Sequence, residues 1–182
     1  MKIRFVSGNP YKLKEAQQIL SEIGIEVIAV DTNINEIQTD DQKKIVHDKV
    51  IRAFKLVGRP LFIEHTGLYV DHFEGLPGGL TQVFWDKLKA DKFCEIFGNN
   101  TNVKASAKTT IGFIDGKRIR VFEGEIKDKI SSLPKGDRSF QWDCVFIPNG
   151  YDKTFAELGE KKNDISMRKE ALVKFSQFLR EG

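Results

Sequence analysis

Residues 2–30, KIRFVSGNPYKLKEAQQILSEIGIEVIAV, hold the pattern that most narrows the possible folds. Lys2 to Ser7 reads as an apolar strand. YKLKEAQQILSEIG reads as a helix, with Leu13, Ala16, Ile19 and Leu20 on one stripe and Gly24 as its stop. IEVIAV is then a second strand. Strand, loop, helix, strand is a βαβ unit, and it points to an α/β fold.

The rest of the chain extends that reading. DQKKIVHDKVIRAFKLVG is a second helix, ended by Gly58, Arg59 and Pro60. LFIE is a third strand, and LYVDHF a fourth after a bend at Thr66-Gly67. LPGG is a turn before a helix from Thr81 to Phe97. NVKASAKTTIGFI and KRIRVFEGEIKDKI form a long hairpin, with Asp115-Gly116 between them as the turn signal. The hairpin is too extended to sit wholly in a compact parallel sheet. SFQWDCVFIP reads as a further strand. NDISMRKEALVKFSQFLR closes the chain as an amphipathic helix with Leu172, Phe175 and Leu179 on one face. No repeat or linker interrupts the 182 residues, so one mixed α/β domain with two lobes around a cleft is expected.

Composition excludes several classes. Hydrophobic residues make up 40% and charged residues 30%, a globular balance. No apolar run approaches the ~20 residues that span a bilayer, and MKIRFVSGNP is too poor in apolar residues for a secretory signal. Cys94 and Cys144 form no CxxC. Two lone buried thiols suit a reducing compartment, so a cytoplasmic location is the expectation. The net charge of +3 is mild, and no basic cluster is interleaved with aromatics, so no nucleic-acid partner is expected.

Four segments carry possible chemistry. SGNPYK follows the first strand and opens a helix. Ser7, Gly8 and Asn9 could present donors to an anion, with the helix dipole and Lys12 adding charge; the plainer reading is a strand-to-helix turn with a surface lysine. NEIQTDD offers Glu36, Asp40 and Asp41, any one of which could hold Mg²⁺, or the loop is simply solvated. In SFQWDCVF, Phe140 and Trp142 could stack on a base and Asp143 accept from a ring N–H, or the segment is core strand. KKNDISMR places Lys162, Asn163, Ser166 and Arg168 at a helix start, which suits an anion or polar base, or a helix capped by Asn163 or Asp164. His47 and His72 read as surface residues. Glu64-His65 could be a metal site, a general base or neither.

Taken together, the four segments resemble the inosine triphosphate pyrophosphatase family. SGNPYKLKE resembles its TGN/SGNxxKxxE, and EHTGLYVDHFEGLPG its E/D-D-S/T-GLxVDAL-GLPG. SFQWDCVFIPNGYDKTFAEL is similar to FGW/YDPxFxPxGYxxTFAEM, and KKNDISMRKEAL to EKNxxSHRxxAL. The resemblance spans nearly the whole chain. It implies an elongated mixed β-sheet with flanking helices, a central nucleotide cleft, usually a homodimer, and Mg²⁺-dependent hydrolysis of a nucleoside triphosphate to monophosphate and pyrophosphate. By the same resemblance, Ser7, Asn9 and Lys12 cradle the triphosphate and Lys49 binds phosphate close to the chemistry. Glu36 and Glu64 hold the metal. Glu64 and His65 stand at the water-activating corner. Phe140, Trp142 and Asp143 hold base and sugar, and Lys162, Ser166 and Arg168 the base edge.

The chain departs from the family pattern at the site itself. His65 stands where the family has Asp. It could serve as general base or orient water, and it would suit Mn²⁺ as well as Mg²⁺. Met167 stands in place of a His and cannot donate a hydrogen bond to a 6-oxo purine. Gln141 and Cys144 replace Gly and Pro, with the expectation that Gln141 reshapes the base pocket and Cys144 could face the ligand. Two readings follow: an active pyrophosphatase with altered base specificity, and a nucleotide-binding sensor or regulatory protein that has lost catalysis.

Overall fold

The computed structural model describes residues 1–181. Ile3, Phe5 and Val6 bury the inner faces of strand β1 (Lys2–Val6), which leads through Ser7–Asn9 into helix α1 (Pro10–Ser21) and strand β2 (Glu26–Val30). Asn9 caps α1, its Oδ1 accepting from Tyr11 N at 3.0 Å and Lys12 N at 3.2 Å, and Pro10 takes the first helical position, where no N–H is needed. Helix α2 (Gln42–Val57) is capped by Asp41 and ends at Gly58 with φ 64°. Strand β3 (Leu61–Val70) passes into a 3₁₀ turn, Asp71–Phe73, and a two-residue strand β4 (Pro77–Gly78) folds back on it.

Helix α3 (Thr81–Phe97) is interrupted at Lys89 (φ 55°, ψ −176°), and the long hairpin follows as β5 (Lys104–Ile114) and β6 (Ile119–Ile130). Strand β7 (Phe146–Pro148), a one-turn helix α4 (Phe155–Leu158), helix α5 (Lys162–Ile165) and helix α6 (Met167–Glu181) complete the chain. The strands form one seven-stranded mixed sheet in the order β2-β1-β3-β5-β6-β7, with β4 on β3. Pairing is parallel among β2, β1 and β3, and antiparallel from β3 outward. Among the described residues no helix is long and apolar enough to cross a membrane.

Three expected boundaries move. Thr66-Gly67 is not a bend: β3 runs unbroken for 10 residues, each paired with β5, and only Asp71–Phe73 leaves the strand. SFQWDCVFIP is not one strand, because Gln141 takes φ 44° and starts a 3₁₀ turn, Gln141–Cys144, before β7. The closing helix is broken at Ser166 (ψ 156°), whose Oγ accepts from Lys169 N at 3.1 Å; Ser166 therefore caps α6, rather than Asn163 or Asp164.

The core divides in a way that places the site. The first half of β3 (Leu61, Phe62, Ile63) packs among β1, α1, α2 and α6. The second half (Leu68, Val70) packs with α3, the Gln141–Cys144 turn, β7 and Phe155. Glu64, His65, Thr66 and Gly67 lie between the two, opposite Ile111, Thr110, Thr109 and Lys108 on β5. A polar belt crosses the sheet where the strand passes from one core to the other.

Candidate active site

The belt is lined by charges that alternate in sign. Glu64 is 4% exposed. Its Oε2 accepts from Arg168 Nε at 2.5 Å, and its Oε1 accepts from Arg168 Nη2 at 3.2 Å and Thr66 Oγ1 at 2.8 Å, with Lys12 Nζ at 3.1 Å. Arg168 Nη1 also donates to Glu15 Oε2. The other oxygen of Glu15 accepts from Lys162 Nζ at 3.1 Å, and Lys162 donates again to Asp143 Oδ2 at 2.6 Å. Asp143, Lys162, Glu15, Arg168, Glu64 and Lys12 thus form one continuous chain, in which every buried charge has a partner of opposite sign. Burial alone would raise the Glu64 pKa, but Arg168 and Lys12 outweigh it and hold the carboxyl far below its usual range. Burial, together with Arg168 and Lys49, lowers the Lys12 ammonium pKa against the pull of Glu64.

A second cluster adjoins Lys12. Lys49 donates to Glu36 Oε1, and Glu36 Oε2 lies 3.7 Å from His65 Nδ1. His65 Nε2 lies 3.1 Å from the Gly79 carbonyl oxygen, which can only accept. That assigns the ring proton to Nε2 and leaves the Nδ1 lone pair aimed at Glu36. Burial, then Lys12 and Lys49, pull the His65 pKa down to about 4, so the ring is neutral at pH 7. Gln42 fixes the strand behind it, donating to His65 O at 2.9 Å and to Thr110 Oγ1 at 2.9 Å while accepting from Tyr69 OH at 2.8 Å.

Two cavities flank the belt. One of about 530 Å³ is lined by Ser7, Gly8, Glu36 and Lys49 with the Asp31–Asn35 loop, and suits a polyanion. The other, about 260 Å³, is lined by Tyr11, Glu15, Phe140, Asp143, Phe155 and Lys162, an aromatic and charged site that suits a base. Ser7 Oγ accepts from Asn9 N at 3.2 Å, so this loop holds its own shape. With Asn9 Oδ1 committed to the cap, the Asn9 amide NH₂ is the group left to donate to an anion.

The fold brings together Ser7, Asn9, Lys12, Glu36, Lys49, Glu64, His65, Phe140, Asp143, Lys162 and Arg168. It separates others. Trp142, expected against base and sugar, is 4% exposed and packs against Phe146 in the second core, ring centroids 6.1 Å apart. Ser166 is spent as the α6 cap. Met167 is buried in the same core as Trp142. Gln141 turns outward to Gln82, 2.5 Å away, and does not shape the pocket. Cys144 does not face the ligand: it is fully buried, and burial raises its thiol pKa. Asp41 is a helix cap and Asp40 is exposed. His47 and His72 lie on the surface, and both cysteines are buried.

Sequence reasoning missed Glu15, the carboxylate joining Arg168 to Lys162. Its signal was available, since it ends the SGNPYKLKE segment on the buried stripe of α1, beside Ala16 and one turn from Lys12. It also missed Tyr11, whose ring stacks on Phe140 with centroids 4.8 Å apart, and Gln42.

Comparison with known proteins places this geometry. A family model described as the Ham1 family matches residues 3–178. The chain is 35% identical to a dITP/XTP pyrophosphatase of Methanopyrus kandleri, covering 100% of this chain and 98% of that one. It is 34% identical to an inosine triphosphate pyrophosphatase of Yarrowia lipolytica, covering 100% and 97%. Among solved structures, Ham1 proteins of Staphylococcus aureus (24% identity, TM-score 0.82, 100% and 99% covered) and Coxiella burnetii (23%, 0.84, 100% of both) share the fold.

Proposed function

The chain belongs to the Ham1 family, and from that premise we propose that it is a nucleoside triphosphate pyrophosphatase with altered base specificity. The substrate is split at the anhydride between its α- and β-phosphates, giving a monophosphate and pyrophosphate. The observation that carries this reading is the convergence of Lys12, Lys49, Lys162 and Arg168, from three distant segments, on one carboxylate-lined cleft. A triphosphate carries about four negative charges, which Lys12 and Lys49 help offset once they leave their carboxylates, in the ground state and as the bond breaks.

The triphosphate lies along Ser7–Asn9, with Lys12 and Lys49 turning from their carboxylates to phosphate oxygens. Arg168 stays with Glu64 and Glu15 and keeps the Glu64 carboxylate in place. Nδ1 of His65 and Oε2 of Glu36 are two acceptors 3.7 Å apart, close enough for one water to donate to both. There His65 orients the nucleophile or takes its proton. The base stacks on Phe140, with Asp143 beside it.

The residues fit a hard divalent cation. Among the described residues no three Asp, Glu, His or Cys side chains form a ready cage. Mg²⁺, however, commonly takes only one or two carboxylates and completes its shell with phosphate and water. Glu36 and Glu64 supply that pair once their lysines move to the substrate, and His65 makes Mn²⁺ acceptable as well. A cation held there would supply charge neutralisation at the phosphates.

Met167 is withdrawn into the core, and Lys162 is committed to two carboxylates. Little is left to read a 6-oxo group, so inosine and xanthosine triphosphates are not strongly preferred. The test measures pyrophosphate release from inosine, xanthosine, adenosine and guanosine triphosphates, ribo and deoxy, with Mg²⁺ or Mn²⁺. A preference of about a hundredfold for inosine or xanthosine triphosphate over adenosine and guanosine triphosphates would sink the specificity claim. The proposal also includes a homodimer working in the cytoplasm; run on size-fractionated protein, the same assay tests the dimer, and activity only at monomer mass would remove it.

One observation favours a second reading, a sensor that binds without cleaving. Glu64 is saturated by Arg168, Lys12 and Thr66, and residue 65 offers no carboxylate. Binding without pyrophosphate release from any member of the panel would establish it.

A further inference from the structure

Both faces of Phe140 are occupied. Lys162 Nζ stands 4.2 Å from its ring centroid, with the Arg168 guanidinium carbon at 5.8 Å. Lys162 is 3% exposed and held by Asp143 at 2.6 Å and Glu15 at 3.1 Å, so it does not vacate that face. The Tyr11 ring lies 4.8 Å from Phe140 with the planes 16° apart. One ring face cannot seat both an ammonium and a parallel ring at these distances, so Tyr11 covers the opposite face. Any base that stacks on Phe140 must therefore meet Tyr11 first.

Tyr11 can give way where Lys162 cannot. It is 43% exposed, while its backbone is pinned by Asn9 Oδ1 at 3.0 Å. Rotation of one side chain opens the stack, and the helix start stays where it is. We infer that Tyr11 is a second aromatic plate, and that the substrate's nucleobase enters between Tyr11 and Phe140 and is held by stacking on both. The centroids would part from 4.8 Å to about 7 Å, two stacking distances. The inference rests on the triphosphate reading above and deepens it. Every base has a π-face, so a sandwich adds affinity with little regard to edge substituents. Because Tyr11 lies between the cap Asn9 and the phosphate-binding Lys12, one helix start would grip both ends of the nucleotide.

Calorimetric titration of the full chain tests this. The probes are the α,β-methylene analogues of inosine and adenosine triphosphates, which resist cleavage at the scissile anhydride, and inorganic tripolyphosphate, which has no base. Tyr11→Ala is expected to weaken both analogues about tenfold. Tripolyphosphate affinity should stay within about twofold, and Tyr11→Phe should match the parent within the same margin. Unchanged or tighter binding of the analogues by Tyr11→Ala would overturn the sandwich, because the ring would then be idle or only an obstacle. Equal weakening of tripolyphosphate would overturn it too, by showing that the change acts through the phosphate loop. If the parent protein binds none of the probes, the triphosphate reading falls and the sandwich with it. Analogue binding unaffected by Tyr11→Ala removes the sandwich alone.

Discussion

His65 shows how one residue's chemistry is set by what surrounds it. Its Nε2–H is used on the Gly79 carbonyl, its Nδ1 faces Glu36, and Lys12 and Lys49 stand close enough to oppose a positive charge. Burial with these cations lowers its pKa to about 4, against about 6.5 in the unfolded chain. Above pH 6.5 both states are neutral and the difference has no effect. As the pH falls from 6.5 through 4, the unfolded chain takes up a proton that the folded protein does not, and stability is lost over that window. The shift corresponds to about 3 kcal/mol. His65→Gln keeps an N–H for Gly79 and does not titrate. Denaturant unfolding at pH 7 and pH 4, without ligand, should show the parent losing about 3 kcal/mol more than His65→Gln. Equal losses would mean that the ring is protonated in the folded state.

At the scale of elements, the position of Arg168 depends on how closely α6 approaches β6. A Cβ on Gly124 would lie 2.0 Å from Met167 O and 2.8 Å from Ala171 N. The helix start therefore rests on bare strand backbone, reinforced by Glu125 N donating to Glu170 Oε2 at 3.0 Å. Arg168 is the residue after that contact. Gly124→Ala should cost about 1–3 kcal/mol by overpacking and reduce pyrophosphate release by moving Arg168 off Glu64. A variant with parent-like melting and activity would show that α6 is held elsewhere.

The same scale explains what the sequence made legible. The βαβ start, the Gly58 stop of α2 and the hairpin could be read because each is specified by local pattern and turn chemistry. The continuity of β3 could not, since Glu-His-Thr-Gly interrupts the apolar pattern and resembles a loop. Its strand conformation comes from pairing with β5, some 45 residues away. The Gln141–Cys144 turn was hidden for the opposite reason: its aromatic and apolar residues look like strand, while the backbone turns at a positive φ that no local pattern announces. The charged site residues stood out as motifs. The contact between Glu15 and Arg168 spans 153 positions and exists only once α1 and α6 pack side by side.

At the scale of the whole molecule, two core regions share the same strands, the first made of two clusters, one around Phe62 and one around Leu61 and Ile63. β3 contributes Leu61–Ile63 to one core and Leu68 and Val70 to the other, and β5 likewise contributes Ile111 and Phe113 to one and Ala105 and Ala107 to the other. The polar belt lies on the stretch in between. Loss of either core would free half of each central strand and dissolve the belt, so the two cores should unfold together. The chain offers a direct test, because both of its tryptophans, Trp85 and Trp142, lie in the second core. Tryptophan fluorescence therefore reports that core alone, while far-UV circular dichroism reports helices and strands of both. Coincident thermal midpoints are expected, as for one cooperative unit. Midpoints separated by more than about 5 °C would mean two independently melting lobes, since a 1 kcal/mol difference in a chain of this size already shifts a midpoint by about 2–4 °C. The cleft would then be an interface between domains, and site geometry would depend on how the lobes dock. A single transition instead ties the alternating charges from Asp143 to Lys12 to one rigid sheet, which pre-positions them for a polyanion before it arrives.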